Sequence, residues 1–201
     1  MTRRPGRPRA LTTEIIVAAA LADGIAEFSM PSVARRLGVA HSGLYRYVTD
    51  RDDLVTKAIG YAVQSVTWPE PQAEWRELFA AIGESVWAVC DAYPGYDLTA
   101  LTAPYWPVEA VELMHPYIQS LHSQGFSAED AAMAIDSIGT LVLTCSTHVA
   151  RLRKIAGTRS RDQLPGLSLN GFDIDEMWAD RGWYDRKLET LLDGLERRLT
   201  T

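Results

Sequence analysis

The stretch "SMPSVARRLGVAHSGLYRYVTDRDDLV", residues 29–55, has the pattern of two short helices joined by a glycine-containing turn and followed by a longer helix. Ser29 is a favourable N-cap, Pro31 is tolerated in a first helical turn, and Gly38 is well placed to end that helix. A second short segment, His41 to Tyr47, begins three residues later. The pattern predicts a helix-turn-helix, a motif whose second helix enters the major groove of DNA.

The second segment carries side chains that suit nucleic acid. Helical periodicity places Leu44 and Val48 on one face, where they would pack against the preceding helix. The remaining, reachable residues are His41, Ser42, Gly43, Tyr45, Arg46 and Tyr47. Tyrosine hydroxyls bond to phosphates, and arginine can bond to guanine through two hydrogen bonds. Gly43 costs a helix about 1 kcal/mol relative to alanine, a cost that is understandable if the backbone must approach another surface closely.

Helix signals continue on both sides of this stretch. Thr12 is a candidate N-cap for a first helix that ends near Asp23 and Gly24, and its apolar stripe would be Ile15, Ile16, Ala19, Ala20 and Ala22. Thr49 or Asp50 can cap a fourth helix, whose apolar face would be Leu54, Val55, Ala58, Ile59 and Ala62. We therefore expect four consecutive helices from about residue 11 to residue 62.

Residues 29–55 resemble the DNA-binding domain of the TetR family of bacterial transcriptional regulators. The resemblance is carried by the small-residue second helix, the "LGV" turn, the "LYRY" segment and the capped entry to the fourth helix. It implies that Tyr45 contacts one phosphate and that the first residue of the fourth helix contacts another. That residue is usually lysine and is Arg51 here. Two features depart from the family pattern: Pro31 replaces a basic or polar residue, and three acids surround Arg51, namely Asp50, Asp52 and Asp53.

The first ten residues form a basic arm. Its segment "RRPGRPR" resembles the core of AT-hook segments, which lie in the narrow minor groove of A/T-rich DNA. The resemblance implies DNA contacts by Arg3, Arg4, Arg7 and Arg9. Non-specific attraction to phosphate, or a contribution to solubility alone, is the alternative.

The charge of the chain is divided unevenly. The 201 residues have a net charge of -6, which excludes a uniformly basic protein that coats nucleic acid. Residues 1–57 contain nine basic and six acidic residues, a net of 9 - 6 = +3, whereas the remainder has 11 - 20 = -9. This division favours an N-terminal end that meets a polyanion and a body that is kept away from it.

Residues 67–201 are expected to form a helical ligand-binding and dimerisation domain. Apolar spacing predicts a helix from Trp75 to about Pro94, a Ser127/Asp130 capping box predicts a long helix to about Ala156, and residues 184–199 predict a closing helix. We expect a loop at residues 157–173, and short helices interrupted or started by Pro104, Pro107 and Pro116. With no alternating strand pattern, the predicted fold class is all-α, with an N-terminal three-helix helix-turn-helix domain at residues 11–62.

The family resemblance also implies a homodimer. In the TetR family the last long helices of two subunits form a four-helix interface, and those helices would here begin at Ser127 and Tyr184. Small residues on the first of them would permit close packing, namely Gly139, Ser146 and Ala150. A symmetric dimer predicts a palindromic DNA operator with half-sites about one or two turns apart.

The body of the chain is rich in aromatic residues, which form either its core or the wall of a pocket. We predict a pocket for an apolar or aromatic small molecule, with the aromatic residues Trp87, Tyr105, Trp106 and Tyr117. The long helix would add a polar stripe at i, i+4, i+8 and i+12: Asp136, Thr140, Thr144 and His148. That stripe could equally face the partner subunit.

Other classes of function are less well supported. The two cysteines, Cys90 and Cys145, indicate a reducing cytoplasm, and Cys145 with His148 gives too few ligands for a metal site. We expect no cofactor and no membrane partner, since no apolar stretch approaches the ~18 residues that span a bilayer. The sequence lacks the nucleophile, phosphate-loop and zinc motifs of common enzymes. The alternatives are an activator or corepressor-dependent regulator, and a protein-interaction module, which would have lost Tyr45, Arg46 and Arg51.

Overall fold

The computed structural model describes residues 10–156, 168–169, 172–173 and 181–199. Within these residues it contains nine α-helices and one short antiparallel β pair. The predicted all-α class is therefore confirmed. The helices form two groups, the first four and the last five, and α4 contacts three helices of the second group.

The first four helices lie where the sequence predicts them. They are α1 (Thr13–Asp23), α2 (Met30–Leu37), α3 (His41–Leu44) and α4 (Arg51–Gln64). The side chain of Thr12 accepts a hydrogen bond from the Ile15 amide, and Ser29 and Ser32 form a reciprocal capping box. Asp50 is the cap of α4, accepting a hydrogen bond from the Asp53 amide. Side-chain caps thus fix the start of three of these four helices.

A shared apolar core holds α1, α2 and α4 together. Its fully buried members include Ile16, Ala20, Val33, Leu54 and Ile59. The stripe predicted for α1 was partly wrong: Ala22 is exposed, whereas Val17, which it omitted, is buried. The face predicted for α4 is buried throughout.

The segment predicted as a helix from His41 to Tyr47 is helical only as far as Leu44, and Tyr45 to Tyr47 form a turn. Leu44 and Val48 are both buried, as predicted. Gly38 ends α2 in the left-handed conformation, with φ of +66°, which glycine adopts without steric cost. This turn allows α3 to pack against α2.

The second group of helices comprises α5 (Trp75–Ala92), α6 (Tyr96–Thr102), α7 (Val108–Ser123), α8 (Ala128–Ala156) and α9 (Tyr184–Leu199). Helix α8 is central and packs against the other four. The Asp130 amide donates a hydrogen bond to the Ser127 hydroxyl at 3.0 Å, and that hydroxyl donates to the Asp130 carboxylate at 2.8 Å. The predicted cap of α8 is therefore present.

Two expectations for this group were wrong. Pro116 lies inside α7, which neither begins nor breaks there. Both Pro116 and Glu112, four residues earlier, are exposed, so water can bond to the carbonyl that lacks an amide partner. The predicted loop at residues 157–173 contains two short strands, β1 (Ser168–Leu169) and β2 (Phe172–Asp173), which pair with each other. The sequence between them, Asn170-Gly171, is a hairpin signal that the prediction overlooked.

Helix α8 also corrects the expectation that no stretch approaches a membrane span. By length and composition alone, the helix of residues 128–154 could cross a bilayer, since it contains an 18-residue window with a mean hydropathy of 1.2. Their buried members, among them Ala131, Ile138 and Val142, instead form the centre of the helical body. The apolar character of α8 is thus explained by its place in the core.

Three close contacts hold together the two groups of helices and the segment that connects α4 to α5. A Cβ placed on Gly95, which has φ of +86°, would lie 2.9 Å from Ala26 in the α1–α2 connection. A Cβ on Gly60 of α4 would lie 2.5 Å from a carboxylate oxygen of Glu109 in α7. Farther along α4, the backbone carbonyl of Val63 accepts a 2.8 Å hydrogen bond from Trp68 Nε1. Helix α4 is thus held against the second group near its carboxyl end.

Candidate nucleic-acid interface and ligand cavity

One end of the molecule presents the side chains predicted to contact DNA. His41, Ser42, Tyr45, Arg46 and Tyr47 are exposed, and Gly43 is half-buried. They share one surface because Leu44 and Val48 anchor the segment in the core. We call the residues from His41 to Tyr47 the recognition surface.

The recognition surface has some internal order. The Tyr45 hydroxyl lies 3.3 Å from His41 Nε2, and the two rings meet edge to face with centroids 5.1 Å apart. Within the described part of the chain, Arg46 makes no hydrogen bond or ion pair. A Cβ added to Gly43 would meet no described atom within 4 Å. Nothing in the described fold therefore requires glycine at position 43.

Arg51 lies beside the recognition surface but is also tied to the core of the first group. Its guanidinium lies over the ring of Phe28, 5.1 Å from the centroid, and its Nε donates to the Phe28 carbonyl at 3.4 Å. The side chain remains exposed overall. The family resemblance implies that Arg51 contacts a phosphate, and this contact stays a prediction. Any such contact would come from a side chain that also packs on the Phe28 ring.

Two of the acids around Arg51 are used within the fold. Asp50 caps α4, and Asp53 accepts a hydrogen bond from the Thr49 amide at 2.8 Å and pairs with Lys57. Burial alone would raise the pKa of Asp53, but the hydrogen bonds from Lys57 and Thr49 outweigh it and hold that pKa below its usual range. Their negative charge is partly balanced by Lys57 and by the positive end of the helix dipole.

Arg36 shows how a second exposed cation is used for structure. Its Nε donates to an Asp23 carboxylate oxygen at 2.5 Å, and its Nη2 donates to the Ala22 carbonyl at 3.3 Å. Hydrogen bonds from Ser32 and then Arg36 hold the pKa of Asp23 below its usual range. Arg36 therefore joins α2 to the end of α1. The predicted arm residues Arg3, Arg4, Arg7 and Arg9 lie outside the described residues.

A cavity of about 330 Å³ lies among α4, α5, α6, α7 and α8. Its aromatic walls are Trp68, Tyr96, Trp106 and Tyr117. Aliphatic side chains complete the lining, namely Val63, Ile82, Val86, Ala110, Val111, Leu113, Met114, Ile135 and Leu143, with Gly139. Asp136 is the only acidic residue among the described residues that line the cavity, and no basic residue lines it. The rest of the wall is almost wholly apolar.

Two of the aromatic hydrogen-bond donors in this wall are already in use. Trp68 Nε1 donates to the Val63 carbonyl at 2.8 Å, and the Tyr117 hydroxyl donates to the Pro69 carbonyl at 2.9 Å. Burial raises the pKa of Tyr117 and of Tyr96. The two tyrosines are neutral at physiological pH, and the bonded aromatic groups present mainly ring surface to the cavity.

The structure places three of the eight predicted ligand residues in the wall of this cavity: Trp106, Tyr117 and Asp136. Trp87 is elsewhere in the core, edge to face with Tyr184 at 5.6 Å. Tyr105 is 71% exposed and does not line the cavity. The prediction missed Trp68 and Tyr96, which belong to the same aromatic cluster in sequence but carry no signal that separates wall from core.

The polar stripe on α8 runs along the outside of the subunit. Asp136, Thr140 and His148 are exposed and Thr144 is half-buried, with its hydroxyl bonded to the Thr140 carbonyl at 2.8 Å. Only Asp136 reaches the edge of the cavity, so Thr140, Thr144 and His148 lie outside it. Their alternative role, at an interface between subunits, stays a prediction. Among the described residues, no three acidic, histidine or cysteine side chains are grouped to hold a metal ion.

No family model matches the chain. A curated HTH-type transcriptional regulator of Saccharopolyspora erythraea is 28% identical over 157 residues, which are 75% of this chain. The match spans 66% of the length of that regulator.

Solved structures show the same fold. ActR of Streptomyces coelicolor, a TetR-family protein solved in complex with actinorhodin, is 26% identical, with a TM-score of 0.72 over 93% of this chain and 96% of that one. A TetR variant of Acinetobacter baumannii in complex with minocycline is 19% identical, with a TM-score of 0.73 over 95% and 99% of the two chains. BioQ of Mycobacterium smegmatis is 17% identical, with a TM-score of 0.72 over 92% and 97%. The resemblance to the TetR family carried by residues 29–55 is thereby confirmed, and the chain has the TetR fold over nearly its whole length.

Proposed function

We propose that this protein is a homodimeric, sequence-specific transcriptional repressor that a small molecule releases from a palindromic operator. The observation that carries the proposal is the course of α4. This helix begins at Arg51, beside the recognition surface, and Val63 near its other end lines the cavity. A ligand and a DNA duplex would therefore act on the two ends of one helix.

The predicted domain of residues 11–62, which holds the first group of helices except for the last two residues of α4, would bind DNA. Arg46 is exposed without a described partner, which suits it to bond to a base edge in the major groove. Tyr45, Tyr47 and Arg51 flank it and would hold phosphates, while His41, Ser42 and the Gly43 backbone approach the groove. The basic arm of residues 1–10 would follow the minor groove.

The second group of helices, within residues 67–201, would bind the ligand and form the dimer. Helices α8 and α9 would supply the interface, since the stripe of Thr140, Thr144 and His148 runs along the outer side of α8. Ala150 is also exposed on α8 and would allow a partner helix to approach closely. Symmetry then brings two recognition surfaces to one side of the dimer.

Release from DNA would be a shift between two subunit arrangements. A ligand that fills the cavity presses on Val63 and on Trp68, which is bonded to it. If the filled cavity favours an arrangement in which the two recognition surfaces no longer match the groove spacing, the operator is released. The contacts at Gly95 and Gly60 would pass movement of α6 and α7 to the first group.

The similar proteins support this class of function. They are transcriptional regulators rather than enzymes, and two of them were solved with a bound small molecule, actinorhodin or minocycline. A regulator of this kind acts on DNA in the cytoplasm, and we assign this protein to that compartment on the same ground.

The test is a selection of duplexes from a random library by the purified protein, with and without the paired substitution Tyr45→Ala/Arg46→Ala. We expect enrichment of a two-fold symmetric site that the paired variant fails to enrich. Tyr61→Ala is the control, since Tyr61 is an exposed tyrosine of α4 outside the recognition surface. Light scattering on the same samples measures whether each variant remains a dimer.

The other outcomes identify the alternative functions. Enrichment only when a ligand is added would indicate a corepressor-dependent regulator, and enrichment of a site whose occupancy raises transcription would indicate an activator. A folded dimer that enriches no sequence under either condition would contradict the proposal. Protein partners would then be the better hypothesis for the recognition surface.

A further inference from the structure

The walls of the cavity come from a strongly acidic part of the chain. Every described lining residue lies between Val63 and Leu143. Residues 58–150 contain eleven acidic residues and one basic residue, Arg76. Because charges of one sign around a cleft with low-dielectric walls focus the field within it, the cavity is expected to attract cations.

The one basic residue of this region, Arg76, forms its ion pairs away from the cavity. Arg76 Nη2 donates to Asp193 at 2.9 Å and to Glu196 at 2.7 Å, both in α9, and its guanidinium lies over Trp75. Neither Arg76 nor Trp75 is among the residues that line the cavity. Arg76 is therefore unavailable to pair with a negatively charged ligand there.

The lining itself favours positive charge. Four aromatic rings surround the space, and the faces of tryptophan and tyrosine rings attract cations. Asp136 adds a carboxylate at the edge. An anion would find poor partners, because Trp68 Nε1 and the Tyr117 hydroxyl already donate to backbone carbonyls. A buried anion without donors is costly.

We propose that the ligand of this cavity is a hydrophobic organic cation, an aromatic or polycyclic body that carries an amine or quaternary ammonium group. The apolar body fills the space among α5, α7 and α8, and the charged group lies near Trp106 and Asp136 at the edge. The proposal rests on the proposed function only in taking this cavity as the effector site.

Three probes that share one ring and differ in charge test the proposal: naphthalen-2-ylmethylamine, naphthalen-2-ylmethanol and naphthalene-2-carboxylate. Binding is measured by titration calorimetry on the full chain at pH 7, where the amine is protonated. We expect the amine to bind about tenfold more tightly than the alcohol and the carboxylate to bind most weakly. No binding of the amine, equal binding of all three, or preference for the carboxylate would overturn the proposal.

Two variants test which residues cause the preference for the amine over the alcohol. Asp136→Asn should weaken binding of the amine about threefold, a modest effect because the Asp136 side chain is exposed and its charge is screened. Binding of the uncharged alcohol should not change. Trp106→Leu keeps an apolar side chain without the ring face and should also weaken the amine more than the alcohol. Glu77→Gln is the matched control, since Glu77 is exposed on α5 and does not line the cavity. Equal losses for the amine and the alcohol in Asp136→Asn and Trp106→Leu would count against the cation site.

A DNA measurement separates this proposal from the proposed function. The same amine is added to the complex of the protein with its selected duplex. Tight amine binding without a change in DNA affinity would support the cation site and contradict ligand-controlled release. Release of DNA by the alcohol or the carboxylate, but not by the amine, would support ligand control and overturn the cation site.

Discussion

Arg46, within the recognition surface, and Arg51, beside it, are both exposed arginines, but they have different surroundings. Arg46 has no described partner, whereas Arg51 packs on the Phe28 ring and bonds to its carbonyl. A guanidinium held against the core has a fixed position, which suits contact with a repeating phosphate. An unheld guanidinium can adapt to the edge of a particular base.

Substitution should separate the two arginines. We expect Arg46→Ala to cost about 1–3 kcal/mol of binding and to relax preference at one base position. Arg51→Ala should weaken all duplexes alike, reduce the slope of log affinity against log salt by about one, and lower the free energy of unfolding by about 0.5–1 kcal/mol. Binding isotherms at several salt concentrations and urea unfolding measure these effects.

Arg51→Lys is the control for charge. It should keep the salt slope and lose part of the contact with Phe28, since the ammonium group lacks the planar guanidinium. If Arg46→Ala and Arg51→Ala weakened every duplex by the same factor and with the same salt slope, the division of roles would be wrong.

Gly43 and Gly38 offer a second contrast at single residues. A Cβ on Gly43 meets no described atom, so Gly43→Ala should raise the free energy of unfolding by about 0.5–1 kcal/mol. The same methyl group would face the DNA, and we expect DNA affinity to fall about tenfold. Gly38→Ala should instead destabilise by about 1 kcal/mol, because φ is +66° there. Unchanged DNA binding by Gly43→Ala would show that the backbone does not approach the duplex closely.

At the scale of elements, α5 and α9 meet where a glycine faces a tyrosine hydroxyl. Tyr184 at the start of α9 is 1% exposed, and its hydroxyl occupies the position that a Cβ of Gly83 would take. Within the described part of the chain, that hydroxyl has no hydrogen-bond partner. Gly83 is thus required for this packing, while the hydroxyl costs free energy by being buried without a bond.

Substitutions in this contact should act in opposite directions. Gly83→Ala should lower the free energy of unfolding by about 1–3 kcal/mol through overpacking. Tyr184→Phe should leave stability unchanged or raise it by about 1 kcal/mol, because it removes the unbonded hydroxyl. The double variant should recover most of the loss from Gly83→Ala. Urea unfolding of the four proteins forms a double-mutant cycle, and strictly additive effects would contradict the contact.

Helix limits could be predicted well because they depend on local chemistry. Thr12, Ser29, Asp50 and Ser127 each bond to backbone amides within three residues, and such bonds are visible in sequence spacing. Pro116 was placed wrongly, since its effect depends on whether the carbonyl of Glu112 is hydrated, which only the fold decides. The end of α3 at Leu44 also depends on packing that the local sequence does not show.

At the scale of the whole molecule, several ionisable groups are buried and retain their protons. Burial raises the pKa of Cys90 to about 12 and also raises the pKa of Tyr96, Tyr117 and Tyr184. In the unfolded chain these groups ionise nearer their ordinary values. Ionisation above about pH 9 therefore favours the unfolded chain, whereas below that pH the full stability is present.

Stability should consequently fall in alkaline solution. We expect the contribution of Cys90 alone to lower the free energy of unfolding by about 2 kcal/mol between pH 9 and pH 10.5. Urea unfolding at pH 7.5, 9 and 10.5 measures the decline. Cys90→Ala should show a shallower decline over the same interval, and an identical dependence on pH would show that Cys90 does not contribute.

The exposure of the residues in the recognition surface could be predicted from the sequence, and the lining of the cavity only in part. Contact of this surface with DNA stays a prediction. The surface is one continuous segment, so its burial pattern follows from the spacing of Leu44 and Val48. The cavity is assembled from five helices, and whether an aromatic ring faces it depends on how α5 to α8 are rotated against one another. Tyr96 and Trp87 are both buried, yet only Tyr96 lines the space.

The exposure of Trp106 at the edge of the cavity should affect the fluorescence of the protein. Among the described tryptophans, Trp106 is 62% exposed while the others are half-buried or buried. A water-soluble quencher such as acrylamide should therefore reduce the emission of Trp106 more than that of the buried Trp87. A compound lodged beside Trp106 would shield it, so the unlabelled protein carries its own fluorescent reporter of occupancy, and compounds can be screened before any DNA site is known.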